Sequence, residues 1–572
     1  MRNSFLILIL SFIILTPSCK EGKENVINLN TLGGKKYGGT LTFMTQKKIT
    51  SLIPIESTNN SVRRVISQIF EPLFILDSEE STVVPRLAES FSVSNDARTY
   101  TIKIRKGVFF HKDKCFKSQT HELKAQDVKF TLDLACSGLR INNISHLLIE
   151  YIKGAKEFNS KTKHSLVSKG VDGIRVIDDY TLKIELCQPF SNFETILTAP
   201  SLGIITKEAY KKYGDDLNKH PIGTGPFQLS NIDEKIIALK RNKEYWRKDN
   251  FGNQLPFISK VNIKYTKNKR SELFAFTNAL IDLVLDIPAQ EIEHILGSLS
   301  DAQKGKNVIH KVQSRKSLNL SYIAFNCNSK EFDDLNVRKA FNLAINRDEL
   351  INTKLEGEGW VLKNGFVPAI QNYPNEKING HQFDITQAKN LIKKEGYSNG
   401  ENFPDLDLYV NTNKGSLSFK ICRAISNQIK KNLGINLIVK TCGEEEFNDA
   451  VKTGKAKIWK TKYIGDYPAP ENFLCLFQKK IDDSLSRNNR LFNTLRSNKY
   501  DSLFISAICE RDNEKRNNLL LQCDQMIIDE AIIIPILNED HTVMINRRLR
   551  DFKSNSMGGI DLSGVYIKEY RR

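Results

Sequence analysis

The stretch Val84–Phe116, VPRLAESFSVSNDARTYTIKIRKGVFFHKDKCF, and the segment Leu123–Ala135 after it, LKAQDVKFTLDLA, decide how this chain folds. Tyr100, Ile102 and Ile104 alternate with Thr101, Lys103 and Arg105, the period-two pattern of a strand with one buried face. Ser94–Ala97, SNDA, reads as the hairpin turn leading into it. In the second segment Val128, Leu132 and Ala135 fall on one face of a helix. That helix begins at Lys124, where a hydroxyl cap would hold it more firmly.

Outward from this stretch the same alternation of short strands and helices continues. Tyr180–Leu186 (YTLKIEL) is another alternating strand, and Val261–Asn268 and Asn278–Pro288 add apolar runs. His220–Leu229 (HPIGTGPFQL) contains Gly223-Thr224-Gly225. No Lys-Ser/Thr and no helix follows these glycines, so they predict a tight turn rather than a phosphate cradle. In Ser317–Leu350 the residues Val337, Ala340, Phe341, Ala344 and Ile345 form a helical core stripe, with Asn336 expected as its cap and Asn346 as the cap of the next short helix. Asp384 with Gln387 starts a further helix, and Ala424–Gly434 gives a helix stopped by Gly434 before the strand Ile435–Lys440. Leu519–Ile528 reads as helix and Ile532–Leu537 as strand. This alternation makes an α/β protein, and 572 residues exceed one core, so two or more lobes are expected.

Composition narrows the class. The chain is 40% hydrophobic and 26% charged, that of a soluble globular protein, with a formal charge of +18. Its lysines are scattered singly and in pairs, which reads as a solvated surface and not as a nucleic-acid site; attraction to an anionic surface is the second reading. Phe5–Leu15, FLILILSFIIL, follows Arg2 and is too short to span a bilayer, so it reads as the core of a signal peptide. Loss of that leader takes Arg2 with it and leaves +17. Of the ten cysteines, nine lie beyond Cys19, an odd number without CxxC spacing. Metal binding by them is not expected, and at least one thiol is free or pairs between chains. Most, Cys187 among them, read as small apolar fillers.

One loop carries the chemistry. Lys462–Phe477, KYIGDYPAPENFLCLF, sets a single early carboxylate, Asp466, among aromatic, apolar and proline residues. Pro468 and Pro470 stiffen it, so the segment is a shaped loop. An acid so placed suits a cation that loses its water, an ammonium group first of all. The competing reading is that Asp466 caps the helix starting near Glu471.

Leu87–Ser90, the TYTIKIRKGVFFH strand, the Ala125–Val128 helix start, HPIGTGPFQL with LKRNKEYW (Leu239–Trp246) and Ser317–Leu350, in that order, resemble the extracytoplasmic solute-binding proteins (family 5) that serve ABC importers of peptides and nickel. The resemblance runs from about Gly38 to Val565 and implies a two-lobed α/β fold closing on ligand by a hinge. It implies a signal peptide over 1–18, a linker over 19–37, a first lobe over 38–307 with an inserted subdomain near 78–190, a second lobe over 308–512 and a return over 513–572. Connecting strands are expected near Val308–Gln313 and Ala531–Leu537. His111 belongs to the family's turn and is not expected to bind metal. Cys19 resembles a lipoprotein processing site, with Thr16 and Pro17 departing from the usual pattern and plain secretion as the alternative.

In the peptide-binding members the acid matching Asp466 holds the ligand's α-ammonium; Tyr463, Ile464, Gly465 and Tyr467 are its companions in the loop. Tyr463 stands where Trp is usual and Ala469 where a second acid is frequent. The implied function is capture of oligopeptides for a membrane permease and its ATPase subunits by a monomeric, lipid-anchored protein of the cell envelope. No enzyme activity, cofactor, metal or nucleic acid is expected. A nickel chelate or a sugar as ligand, and a surface adhesion role, are the alternatives.

Overall fold

The computed structural model describes residues 31–568, apart from 58, 78–81, 119, 168, 288–309, 355–358, 371 and 479–496. The leader, Cys19 and most of the linker therefore lie outside the described residues. Among those described, no helix is long and apolar enough to cross a membrane.

The alternation at Tyr100, Ile102 and Ile104 becomes the strand Thr99–Ile104, with those three side chains at 0–1% exposure. It pairs antiparallel with Ala88–Val93 across the expected hairpin and with Thr181–Glu185, which in turn pairs with Ile174–Asp178. The helix Ala125–Cys136 buries Val128, Leu132 and Ala135. Lys124 offers no hydroxyl cap, but its backbone N–H donates to the Asp127 carboxylate at 2.9 Å, which secures the first turn from the other side.

The Gly223–Gly225 turn is as tight as its sequence implies. A Cβ on Gly223 would lie 2.1 Å from the Ile69 carbonyl oxygen, and one on Gly225 2.6 Å from it. His111 is fully engaged with this turn: the Gly223 N–H donates to Nδ1 at 3.4 Å and Nε2 meets the Gly225 carbonyl at 2.9 Å. Burial pulls its pKa down to about 4, so both nitrogens of a neutral ring serve the turn.

One eleven-stranded sheet runs through both lobes. From one edge the order is Leu437–Cys442, Leu406–Asn411, Ile458–Ile464, His310–Phe325, Ile533–Asn546, Leu283–Leu285, Thr40–Thr45, Lys260–Tyr265, Ile236–Arg241 and Phe227–Ile232. Trp360–Val361 pairs on the side against Ile533–Asn546. The connecting strands are longer than expected, 16 residues at His310–Phe325 and 14 at Ile533–Asn546. Ala531 lies outside the second, in a turn at φ 47°.

These two strands belong to both lobes. His310–Lys316 pairs with Asp540–Asn546, whereas Leu320–Ala324 pairs with Ile533–Asn538 on one side and Ile458–Ile464 on the other. The register breaks between Lys316 and Leu320, and Asn538 Nδ2 fills the break by donating to the Ser317 and Asn319 carbonyls at 2.6 and 2.9 Å. A second irregularity, between Ser321 and Tyr322, admits Pro535 into a central strand that would otherwise need its missing N–H. The aromatic cluster of Phe325, Phe332, Phe341 and Phe403 belongs to the core of the second lobe alone.

Two expectations are corrected. The helix Leu335–Leu343 is capped by Asp334, whose carboxylate accepts from Asn336 and Val337 N–H; in the run Asp333-Asp334-Leu335-Asn336 the charged acid two residues earlier takes the cap. Cys187 is exposed, because it falls in the outward phase of the alternation that buries Leu182, Ile184 and Leu186. All nine described cysteines are free thiols. Asn346, Asp384 and Gly434 act as the sequence implies: Asn346 accepts from Glu349 N–H, Asp384 from Gln387 N–H, and Gly434 ends its helix at φ 79°.

Candidate ligand-binding site

A cavity of about 410 Å³ lies where the lobes meet, the size range of small-ligand sites. One lobe contributes Phe43–Lys47, Asn59–Ser61, Arg64 and Asp286; the other contributes Ser418, Lys460, Lys462 and Ile464. The strand Ile458–Ile464 supplies its charged wall by simple alternation. Every second side chain, at 460, 462 and 464, faces the cavity, while Trp459 is buried and Tyr463 packs against Phe473 with ring centroids 5.4 Å apart.

Lys460 is 5% exposed, and burial lowers its pKa. Its Nζ reaches only two hydroxyls, Ser418 Oγ at 3.3 Å and Ser321 Oγ at 3.4 Å, and no described carboxylate lies within ion-pair distance. Lys462, by contrast, is paired with Glu539.

Asp466 follows in the loop that ends this strand. Its carboxylate accepts from Arg63 Nη2 at 2.7 Å and lies 3.5 Å from His146 Nε2, with 17% of the side chain exposed. Burial would raise its pKa, but the Arg63 charge and the His146 contact outweigh that and hold it well below the usual carboxylate range. The helix Pro470–Leu474 is preceded by Ala469 with no side-chain cap, so Asp466 is not a helix cap.

The loop is held by Asn472. Its Nδ2 donates to the Tyr467 carbonyl at 2.8 Å, and its Oδ1 accepts from the Tyr463 hydroxyl at 2.8 Å. The hydroxyl that distinguishes Tyr463 from Trp is thus used inside the loop. Gly465 is buried, with its N–H 3.4 Å from the Leu318 carbonyl and the space of a Cβ 3.1 Å from the Phe473 ring. Tyr467 is 4% exposed, whereas Ile464 is 38% exposed and lines the cavity. Behind the loop, Glu471 is fully buried, with Arg516 Nε 3.7 Å away and neither carboxylate oxygen hydrogen-bonded.

The description "Bacterial extracellular solute-binding proteins, family 5 Middle" matches residues 82–484. The chain belongs to this family. Among its relatives is "Di/tripeptide-binding protein 1" of Pseudomonas aeruginosa, 26% identical over 91% of this chain and 93% of that protein. "Heme-binding protein A" of Haemophilus influenzae is 24% identical over 97% of each. The fold is shared with a periplasmic binding protein, DppA, of Helicobacter pylori in complex with peptide STSA (TM-score 0.73, 23% identity, 93% of this chain and 99% of that one). A periplasmic oligopeptide-binding protein of Borrelia burgdorferi matches equally well, at TM-score 0.73 and 23% identity over 93% of this family-5 chain and 100% of its own.

The site of this solute-binding protein includes residues that reading the sequence missed. Arg63 and His146 come from distant parts of the chain and no local pattern marks them. Asn472 sits unremarked in PENFL. Lys460 did leave a signal: it is in phase with Lys462, Ile464 and Asp466 along KIWKTKYIGD.

Proposed function

We propose that this chain is the extracytoplasmic receptor of an ABC importer, capturing short peptides between its lobes and passing them to a membrane permease with its ATPase subunits. The observation that carries this reading is the charge order along one strand and the loop that ends it. Lys460, a buried cation with no described counter-ion, lines the cavity, and an acid, Asp466, lies in the loop two residues beyond Ile464, the last cavity-lining residue of the strand. At roughly 3.3 Å per residue the four steps from Lys460 to Ile464 span about 13 Å, the scale of an extended peptide of a few residues. A zwitterion laid along this wall meets charge at both ends, and its backbone polar groups meet the Asn and Ser side chains of the cavity. The relatives named for di- and tripeptides support the same ligand class.

In this reading Asp466 takes the ligand's amino group, Ile464 lines the path, and Tyr463, Gly465 and Tyr467 shape the loop. The break between Lys316 and Leu320 is the place where the lobes hinge, and the chain works as a monomer divided as the resemblance implies. Cys19 carries a lipid that tethers it to the envelope membrane; metabolic labelling with a palmitate analogue should mark the natural protein and not Cys19→Ala. Mass spectrometry of small molecules released from the purified protein by denaturation tests the ligand class directly. Short peptides with free ends are expected. Recovery of a haem, a sugar or a nickel chelate in their place would overturn the reading.

A further inference from the structure

Two arginines stand side by side on the helix Asn60–Ile69, and the fold uses them differently. Arg64 is 5% exposed; its guanidinium forks onto Asp286 at 2.5 and 2.7 Å, and its Nε donates to the Gly558 carbonyl at 2.7 Å. Arg63 makes one ionic hydrogen bond, to Asp466, across 403 residues of sequence, and its Nε has no hydrogen-bond partner. Arg64 is therefore built into the lobe, whereas Arg63 can leave by breaking a single described side-chain hydrogen bond, with 17% of its side chain already exposed.

We propose that Arg63 holds the place of the ligand's cation in the empty protein. A carboxylate enclosed without a counter-ion is costly, so lobes that close empty need a cation at Asp466, and Arg63 provides it from the opposite lobe. An incoming ammonium group then exchanges with the guanidinium instead of filling a bare acid, and its affinity is the difference between two ion pairs. Arg63 thereby tempers the affinity for an amine and leaves that for an uncharged group unchanged, because an uncharged group offers nothing that displaces it. This rests on the reading that Asp466 takes the ligand's amine.

The test uses the full-length mature protein, trialanine and N-acetyl-trialanine in calorimetric titrations, and small-angle scattering without ligand. Arg63→Gln and Arg63→Ala should bind trialanine about ten-fold more tightly than the natural protein, with binding of the acetylated form changed by less than about two-fold. Arg63→Lys keeps a cation and should restore the natural discrimination, which a merely structural role would not require. Both neutral variants should show a larger radius of gyration when empty, since the contact between lobes is gone. Trialanine bound equally or more weakly by both neutral variants, with the acetylation penalty intact in the natural protein, would overturn the proposal and leave the amine reading standing. Acetylation that penalises none of the proteins, or trialanine that none of them binds, removes the amine reading and this proposal together.

Discussion

Lys460 and Asp466 lie six residues apart on one strand and its closing loop, and the protein treats the two charges in opposite ways. Asp466 is compensated twice, by Arg63 at 2.7 Å and by His146 at 3.5 Å, neither of which is local in sequence. Lys460 is more deeply buried and receives only two hydroxyls at the outer limit of hydrogen bonding. Burial disfavours the charge at both sites; at Asp466 the Arg63 guanidinium and the His146 contact outweigh it, and at Lys460 no described group does. The difference assigns different tasks to the two ends of the cleft. On the proposed function, one end would exchange a cation it already holds, and the other would gain a counter-ion that no described residue supplies.

The largest effect should come from breaking the acid end. Asp466→Asn keeps the shape of the side chain and removes its charge, leaving a bound ammonium without its partner. Affinity for a free-amine tripeptide should fall by about 2–5 kcal/mol, roughly 30- to 5,000-fold. N-acetylation should then cost the Asn variant far less than the natural protein, a non-additivity that marks a direct pair. Equal acetylation penalties in a calorimetric titration would place the amine elsewhere.

Breaking the lysine end should cost less in binding and act in the opposite sense on stability. Lys460→Met retains the stem and removes the buried charge. The natural protein should prefer a free carboxyl terminus over its amide by about 1.5–3 kcal/mol, and the variant should lose that preference. The empty variant should be as stable as the natural protein or more so in urea, because an under-partnered buried cation has been removed. A large drop in stability with the carboxylate preference intact would make Lys460 a structural residue.

Burial that outweighs its compensation recurs at Glu194 and gives a pH test. Glu194 is pushed up to about 7, chiefly by burial and against the help of its own backbone N–H and Tyr100, and one of its oxygens has no hydrogen-bond partner. A carboxyl whose folded pKa exceeds its unfolded value of 4.5 favours the folded state when protonated. The stability it contributes is present below about pH 4.5 and is lost as pH rises toward 7. Glu194→Gln should therefore be more stable than the natural protein by about 1–2 kcal/mol at pH 8, with the gap closing by pH 4.5. Urea titrations of both proteins across that range read the gap directly; a gap independent of pH would mean that folding does not raise the Glu194 pKa.

How much of this was legible follows from where each determinant lies in the chain. The strand Thr99–Ile104 and the Gly223–Gly225 turn were readable because alternation and glycine spacing act within a few residues. The cap at Asp334 was misplaced to Asn336 because three of the four residues in DDLN can cap, and only the backbone path selects among them. Asp466 stood out as a lone acid in a stiff aromatic loop, yet Arg63, His146 and the orphaned state of Lys460 are properties of two lobes brought together. No local pattern encodes a pair 403 residues apart. The phase of Lys460 with Asp466 was present in the sequence, and only the cavity wall gives it meaning.

The smallest effect should come from the lysine between the two ends, and it decides how local the comparison is. Lys462 shares the cavity face of the strand but is already paired with Glu539, with side chains 38% and 33% exposed. An ion pair so open to water is worth about 0–1 kcal/mol and is screened by salt. Lys462→Met should change stability by less than about 1 kcal/mol and peptide affinity by less than about three-fold, with any difference shrinking in high salt. If instead it abolishes the preference for a free carboxylate as Lys460→Met does, the wall acts through its summed positive field and not through one buried ammonium. The charge at 460 would then be one of two equivalent contributors, and the contrast with Asp466 would rest on the number of cations near the cleft instead of on which one lacks a partner.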